Sequence, residues 1–323
     1  MKKMVLVAFI LVSLVVPLLF MAFVYGMYVR NDYVGVETDF SASAYLDAPP
    51  APFNEPLTLK IVTFNIQDLW VVGRNRPARM RHIGRVLAEL DPDVVGFQES
   101  FIEKDREILI DALADTRLRY HEYYPSATVG SGLLISSAWP IRETFFMRYS
   151  QSGAAHRVWE GDFWAGKGVA LARIETPAGM MDVYNTHAQA GYGRPSYRVL
   201  RVSQMEELAA FMNESRMGTV PAFLVGDMNC RIGSNDYETA VTNANLKRVM
   251  TIDSRIDHIF AAQNDAYEFQ TLDTTRIWEK ITEDGRTFNL SDHAGYMSVV
   301  RITPVGQESE DASETDVAAT ETQ

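Results

Sequence analysis

A chain of 323 residues, 47% hydrophobic and 22% charged, can bury a large core, and its length fits one domain of roughly 250 residues with appendages better than a set of small modules. Its formal charge of −12 is unevenly spread: residues 306–323 carry six acids and no base, residues 1–56 three bases against five acids, and the part between 27 bases against 31 acids. That body lacks the broad basic surface of a non-specific nucleic-acid binder, so nucleic acid is disfavoured as a partner, and the single cysteine, Cys230, excludes an intramolecular disulfide or a cysteine-rich metal site.

Met4 to Val29 contains no charged residue. As a helix this run would span about 39 Å against a hydrocarbon core of roughly 30 Å, so residues 1–29 read as one tilted transmembrane helix. The apolar core of a cleaved export signal is shorter, about 7–15 residues, with a small-residue cleavage site close behind it. Here Ser41-Ala42-Ser43-Ala44 lies well beyond the run, which favours an uncleaved anchor. Lys2 and Lys3 precede it and only Arg30 follows closely, so the amino terminus is expected in the cytoplasm and the rest of the chain outside it, beside a lipid bilayer. Residues 30–56, with Ala48-Pro49-Pro50-Ala51-Pro52, read as an extended linker.

The body is expected over residues 57–305. Leu57 to Phe64 is β-rich and ends at Asn65. Pro77 opens a helix whose Met80, Ile83, Leu87 and Leu90 recur at helical spacing. A strand from Asp93 to Glu99 and a helix from about Glu103 to Leu113 follow, then strands Gly132–Ser136 and Val169–Ile174. Pro177-Ala178-Gly179 turns the last of these into Met181–His187, and Pro195 starts a helix with an apolar stripe from Val199 to Met212. That helix leads into Leu224-Val225-Gly226-Asp227, with Asn229 two residues beyond; alternation along a strand would aim Asp227 and Asn229 the same way from its carboxyl end. Ser254–Phe260 and Ala294–Ile302 read as the last strands, the latter preceded by Asp292-His293. Residues 306–323 form an acidic tail without core-forming residues, expected to be disordered.

Several strand ends thus carry polar groups whose types suit phosphoester hydrolysis. That reaction needs a hard cation on phosphoryl oxygens, a base for the attacking water, donors for developing charge and an acid for the leaving oxygen. Glu99 suits Mg²⁺, which takes one or two carboxylates and keeps water and substrate oxygens around it. Asn65 and Asn229 can coordinate or donate without adding negative charge. His293 is a candidate base if a carboxylate such as Asp257 orients it, Asp227 can position the water, and His187 can protonate the leaving oxygen. Each has a structural alternative: a turn asparagine, a salt-bridged glutamate, a hydrogen-bonded histidine. His82, His121, His156 and His258 read as structural or surface residues.

Asn65, Gln98-Glu99, Asn185-Thr186-His187, Gly226-Asp227-Met228-Asn229, Arg255-Ile256-Asp257 and Ser291-Asp292-His293 follow the order and approximate spacing of the endonuclease/exonuclease/phosphatase superfamily. The resemblance implies a four-layered α/β sandwich, two packed β-sheets flanked by helices, with Mg²⁺ as cofactor and Mn²⁺ as a substitute. It makes Glu99 the metal ligand with Asn65 beside it and Asp292 in support, gives Asp227 and Asn229 the water and phosphate roles, has Asp257 orient His293, and puts His187 on the leaving side.

Within the superfamily, Arg79-Met80-Arg81, Gly130-Ser131-Gly132-Leu133 and Gly161-Asp162-Phe163-Trp164-Ala165-Gly166-Lys167 resemble neutral sphingomyelinases. That likeness implies a phospholipid or related phosphodiester substrate, with Asp162 and Lys167 on a loop that engages phosphate. Trp164, with Phe163 and Trp159, is a candidate for contact with a choline headgroup or the membrane interface; the alternative is a core aromatic. Two features depart from the pattern: Gln189 replaces a second histidine in Thr186-His187-Ala188-Gln189-Ala190, and Cys230 to Arg255 is short. A nuclease, a phosphomonoesterase acting on inositol phosphates and a non-catalytic binding module are the competing readings. No protein partner can be inferred.

Overall fold

Strand alternation sorts the body into faces. In β1 (Leu57–Asp68), Leu59 and Ile61 enter one buried cluster while Val62, Phe64 and Ile66 enter another. In β8 (Ala222–Asp227), Phe223 and Val225 join the first cluster and Ala222 and Leu224 a third. A strand buried on both faces belongs to the middle layers of a sandwich. The computed structural model describes residues 11–21, 24 and 40–306 apart from 127, 128, 155, 158 and 284.

Sheet A runs β11-β14-β1-β2-β4-β3 and sheet B runs β5-β6-β7-β8-β10-β9. Besides β1, sheet A contains β2 (Val94–Ser100), β3 (Tyr120–Tyr124), β4 (Leu133–Ser137), β11 (Tyr267–Ile277) and β14 (Gly295–Pro304). Sheet B adds to β8 the strands β5 (Ile141–Arg148), β6 (Gly168–Thr176), β7 (Gly179–His187), β9 (Leu246–Arg248) and β10 (Asp257–Ala262). A separate hairpin pairs β12 (Lys280–Glu283) with β13 (Arg286–Asn289). Each sheet contains one parallel pair, β1 with β2 and β7 with β8, among antiparallel neighbours.

The first cluster fills the space between the sheets. On the outer side of sheet A, α1 (Arg76–Leu90) and α2 (Glu103–Ala112) cover it with Met80, Ile83, Leu87 and Leu109. On the outer side of sheet B, α4 (Pro195–Ser215) and α5 (Asn235–Asn243) contribute Met205, Leu208, Met212, Tyr237 and Ala240. A four-residue turn of helix, α3 (Asp162–Ala165), lies between Gly161 and Gly166, both at positive φ. These are two mixed sheets flanked by helices, the α/β sandwich expected from the sequence.

Residues 11–21 and 24 of the expected anchor are helical and exposed; the rest of it, residues 30–39 and the acidic tail beyond 306 lie outside the described residues. Among the described residues, no helix is long and apolar enough to cross a membrane.

Residues 40–56, read from sequence as extended linker, are docked on the body. The Phe40 ring lies 5.0 Å from Phe145 and 5.2 Å from Phe211. Glu143 accepts from Ser43 Oγ at 2.8 Å and the Ala44 amide at 2.7 Å, and Arg173 donates to both Glu143 and Ser43 Oγ. Phe53 is buried in the inter-sheet cluster, its amide donating to Tyr267 Oη at 2.8 Å. The strap is not uniformly extended: it opens with a 3₁₀ turn at Phe40–Ala42 and bends through residues 44–48, and the two phenylalanines fasten it.

Candidate active site

The carboxyl ends of both parallel pairs converge, and the face rule fixes what they present. Odd-numbered positions of β1, β7, β8 and β10 look into the gap between the sheets: Leu59 and Ile61, Met181 and Val183, Phe223 and Val225, Ile259 and Ala261. Continuing each series toward the same pole gives Asn65, His187, Asp227 and Asp257. Directly beneath them a buried polar bridge joins the sheets. Gln98 Nε2 donates to Asn185 Oδ1 at 2.7 Å, and Asn185 Nδ2 donates to the Phe97 carbonyl at 2.9 Å.

Glu99 breaks the rule. Alternation would send it with Val95 and Phe97 to the helical face, but its φ of +58° turns the side chain into the cleft. Gln67 and Asn229 near the same pole also have φ near +50°. Such a conformation costs a non-glycine residue about 1–3 kcal/mol, a strain that clusters at functional sites. Asn229 therefore arrives through a turn after the strand, its amide donating to Asp227 Oδ1 at 3.0 Å and its Nδ2 to the Ala188 carbonyl at 3.1 Å.

Asn65 Nδ2 lies 3.0 Å from both Glu99 Oε1 and Asp227 Oδ2, so one amide holds two carboxylates. His187 Nε2 is 3.5 Å from Asp227 Oδ2, and His293 Nε2 approaches the same oxygen at 3.7 Å. His293 Nδ1 rests 3.1 Å from each oxygen of Asp257, which leaves Nε2 directed into the cleft. Ser291 Oγ donates to the Asn65 carbonyl at 2.7 Å and accepts from the His293 amide at 3.1 Å, tying the histidine loop to β1. Asp292 is exposed and accepts from Ser291 Oγ at 3.4 Å; it reaches the site through its charge.

Lys167 is neither a solvent-facing loop lysine nor free to bind a ligand. It is buried, ion-paired with Asp162, 2.8 Å from His187 Nε2 and 3.0 Å from the Ala188 carbonyl, so its three N–H groups are all engaged. The lone pair of His187 Nε2 is thereby occupied. Burial first, then the charges of Lys167 and His293, hold His187 well below the usual histidine range. It is neutral here and does not donate from Nε2. Gln189 is a positioning residue that sequence reading treated only as a departure: its Nε2 donates to Asp162 Oδ2 at 2.6 Å and its Oε1 accepts from the Gly153 amide at 2.7 Å. Its signal was a lone polar side chain between Ala188 and Ala190. Phe163 and Trp164 are half-buried and pack edge-to-face at 5.3 Å, while Trp159 is exposed.

The electrostatics favour added positive charge. Burial, opposed by Lys167 and by the Asn65 hydrogen bond, lifts Glu99 to about 7. Burial and the neighbouring Asp257 lift Asp227 to about 6. Burial alone would lower His293, but the Asp257 hydrogen bond and the charges of Asp227, Asp257 and Asp292 outweigh it and raise the imidazole to about 10. Glu99, His187 and Asp227 offer ligand atoms within 4.8 Å of one another, and with His187 Nε2 taken by Lys167 the carboxylate oxygens of Glu99 and Asp227 remain. Such a hard, under-neutralised set fits a divalent cation of the Mg²⁺ type.

Fold and donor set together define an α/β sandwich with a cation-competent acid–histidine cleft at its strand ends. Residues 62–293 match the endonuclease/exonuclease/phosphatase family, and the chain belongs to it. It is 32% identical over 178 residues to sphingomyelin phosphodiesterase 2 of Mus musculus, covering 54% of this chain and 42% of that protein. It is 31% identical over 183 residues to the inositol phosphosphingolipids phospholipase C of Schizosaccharomyces pombe, covering 56% and 43%. Its matches span less than two thirds of the length of these curated relatives. A mutant of beta toxin from Staphylococcus aureus, solved with bound magnesium ions, has the same fold, with a TM-score of 0.60 at 18% identity over 75% of this chain and 99% of that one.

Proposed function

We propose that the chain is a membrane-anchored, Mg²⁺-dependent, sphingomyelinase-like phosphodiesterase that hydrolyses a phospholipid phosphodiester. The observation that carries this reading is the meeting of Glu99, Asn65 and Asp227 with the Asp257–His293 pair in one cleft. Glu99 would hold the metal, with Asn65 beside it fixing that carboxylate through Nδ2 while its Oδ1 accepts from the Gln67 amide, and Asp292 adding negative charge nearby. When bound, Mg²⁺ supplies a Lewis acid to the phosphoryl oxygens and offsets the carboxylate field that otherwise keeps His293 protonated.

Asp257 fixes the His293 tautomer, so Nε2 takes the proton of the attacking water, which Asp227 orients. Asn229 holds the turn that places Asp227. His187 and Lys167 lie on the leaving side. Lys167 reaches a phosphoryl oxygen only by exchanging one of its present acceptors for substrate, and Asp162, fixed by Gln189, governs that exchange. The relatives named above support lipid as substrate, and the near-balanced charge of the body speaks against nucleic acid.

The uncharged run from Met4 to Val29 and the paired lysines before it support a single-pass anchor with residues 30–323 outside the cytoplasm. Protease added to intact cells should then remove the body; full protection beside a working external control would reject that orientation. The activity is tested on the full-length chain in detergent micelles, with sphingomyelin, glycerophospholipids, plasmid DNA and inositol phosphates, each with Mg²⁺ and with chelator. Release of phosphocholine or another phosphorylated headgroup, lost with chelator and restored by Mg²⁺, is expected. Cleavage confined to DNA or to monoesters would overturn the reading.

A further inference from the structure

We propose that the pole holding the cleft is a bilayer-docking surface, led by the loop after β1 and completed by aromatic side chains around the cleft mouth; this rests on the phospholipid reading above. Sheet topology decides which loops share that pole. β1, β7 and β8 end at the site. β5 ends at Arg148, paired with Gly168 beside the start of β6, and β11 ends at Ile277, paired with Gly295 two residues after His293.

Those loops carry the exposed aromatics. Trp70, Val71 and Val72 follow one another after β1, with Val71 93% exposed and both neighbours more than half exposed. Trp159, 77% exposed, lies after β5, Tyr192 after β7 and Trp278 after β11. All three exposed tryptophans among the described residues therefore sit at one pole. At the other, exposed apolar side chains such as Tyr120 and Val305 occur singly. Scattered apolar residues are ordinary on a protein surface; consecutive ones gathered at a functional cleft mark an interaction site.

The leading loop is held out from the body. The Gly73 amide donates to the Leu69 carbonyl at 3.0 Å, and Arg76 Nη1 donates to the carbonyls of Leu69 and Gly73, closing the loop at its base. Its inner side is fastened by the Trp70 ring, 6.4 Å from that of Phe101, two residues beyond Glu99. The tip points away from the core although Trp and Val are residues that cores readily accept.

Tryptophan and tyrosine concentrate where acyl chains meet headgroups, with one face apolar and one edge polar. The partner that fits is a zwitterionic phospholipid surface, because the body has fewer bases than acids and no cationic excess to draw it to anionic lipid. Docked this way, the cleft opens onto the headgroup layer that contains its substrate.

The test uses the full-length chain in phosphatidylcholine vesicles with and without brominated acyl chains. All five tryptophans lie beyond residue 69, so quenching of their emission reports on the body and not on the amino-terminal apolar run. Brominated lipid should quench the wild type. Val71→Asp combined with Val72→Asp should reduce that quenching at least twofold and slow turnover of vesicle lipid at least tenfold, while bis(p-nitrophenyl) phosphate is hydrolysed within twofold of wild type. Should the aspartates impair folding, judged by melting temperature, the corresponding serine pair carries the same expectation. Unchanged quenching, or equal loss on both substrates by a folded variant, would overturn the proposal. If the wild type hydrolyses neither substrate, the phosphodiesterase reading fails, while the quenching comparison still decides whether the surface exists.

Discussion

His293 and Glu99 reach the cleft in different ways, and each exposes the site to a single substitution. The imidazole depends on Asp257 for its tautomer and on Ser291 for its loop; the carboxylate depends on a strained backbone that few residue types tolerate. Loss of a general base typically costs about 10²–10⁴-fold, so His293→Ala should lower turnover by that much with an unchanged circular dichroism spectrum, and Glu99→Gln should do so while weakening the response to Mg²⁺. Near-normal turnover by His293→Ala on every substrate would remove it as the base. A second histidine links pH to stability. His258 is buried on the helical side of sheet B, with Nε2 2.9 Å from the Cys230 carbonyl and Nδ1 3.2 Å from Ser254 Oγ. Burial, only partly opposed by the Cys230 hydrogen bond, brings it from 6.5 down to about 4. The unfolded chain therefore takes up this proton at a higher pH than the folded one. Its contribution, on the order of 3 kcal/mol, is present above pH 6.5 and lost as pH falls to 4. Denaturation curves across that window should show stability falling more steeply for the wild type than for His258→Asn; equal slopes would mean that His258 does not titrate this way.

At the level of elements, the two sheets approach closely because Gly96 faces sheet B without a side chain. A Cβ there would lie 2.4 Å from Val225 Cγ2 and 3.1 Å from the Asn185 side-chain carbon. Gly96→Ala should therefore destabilise the protein by about 1–3 kcal/mol, as overpacking does, and calorimetry should show a lower melting temperature; a neutral result would mean that the sheets can part at that point. The strands legible in the sequence are the eight interior ones: β1, β2, β4, β6, β7, β8, β10 and β14. Both neighbours and both faces constrain them, so their apolar runs are dense and their ends abrupt. The four edge strands, β3, β5, β9 and β11, escaped reading because one side is unpaired and their residues include charges, as in Arg142 and Glu143 of β5 or Asp273 and Arg276 of β11. The site shows the same division. Asn65, His187, Asp227 and Asp257 follow from alternation at legible strand ends. The inward turn of Glu99, the route of Asn229 and the threefold engagement of Lys167 depend on backbone conformation and on acceptors from separate segments, which no local pattern announces.

For the whole molecule, the docked strap determines how the body is carried. Phe40→Ala with Phe53→Ala should loosen it, giving faster proteolytic cleavage within residues 40–56 at little cost to turnover of a soluble phosphodiester; unchanged cleavage would mean that the polar contacts of Glu143 and Arg173 suffice. The docking has a further consequence for an anchored enzyme. If residues 30–56 were all free, the body could wander on a leash of about 90 Å, enough to sample a neighbouring vesicle. With the strap fastened from Phe40, only residues 31–39 separate Arg30 from the body, a leash of about 35 Å at full stretch. Strand β7 rises about 17 Å from Asp182, beside Arg173 of the strap's polar clasp, to His187 in the cleft. If the chain is anchored as proposed, that leash lets the cleft reach its own bilayer and shortens its reach toward any other. Such an enzyme should consume lipid in cis: in a mixture of vesicles with and without the protein, hydrolysis should stop when the carrying vesicles are exhausted.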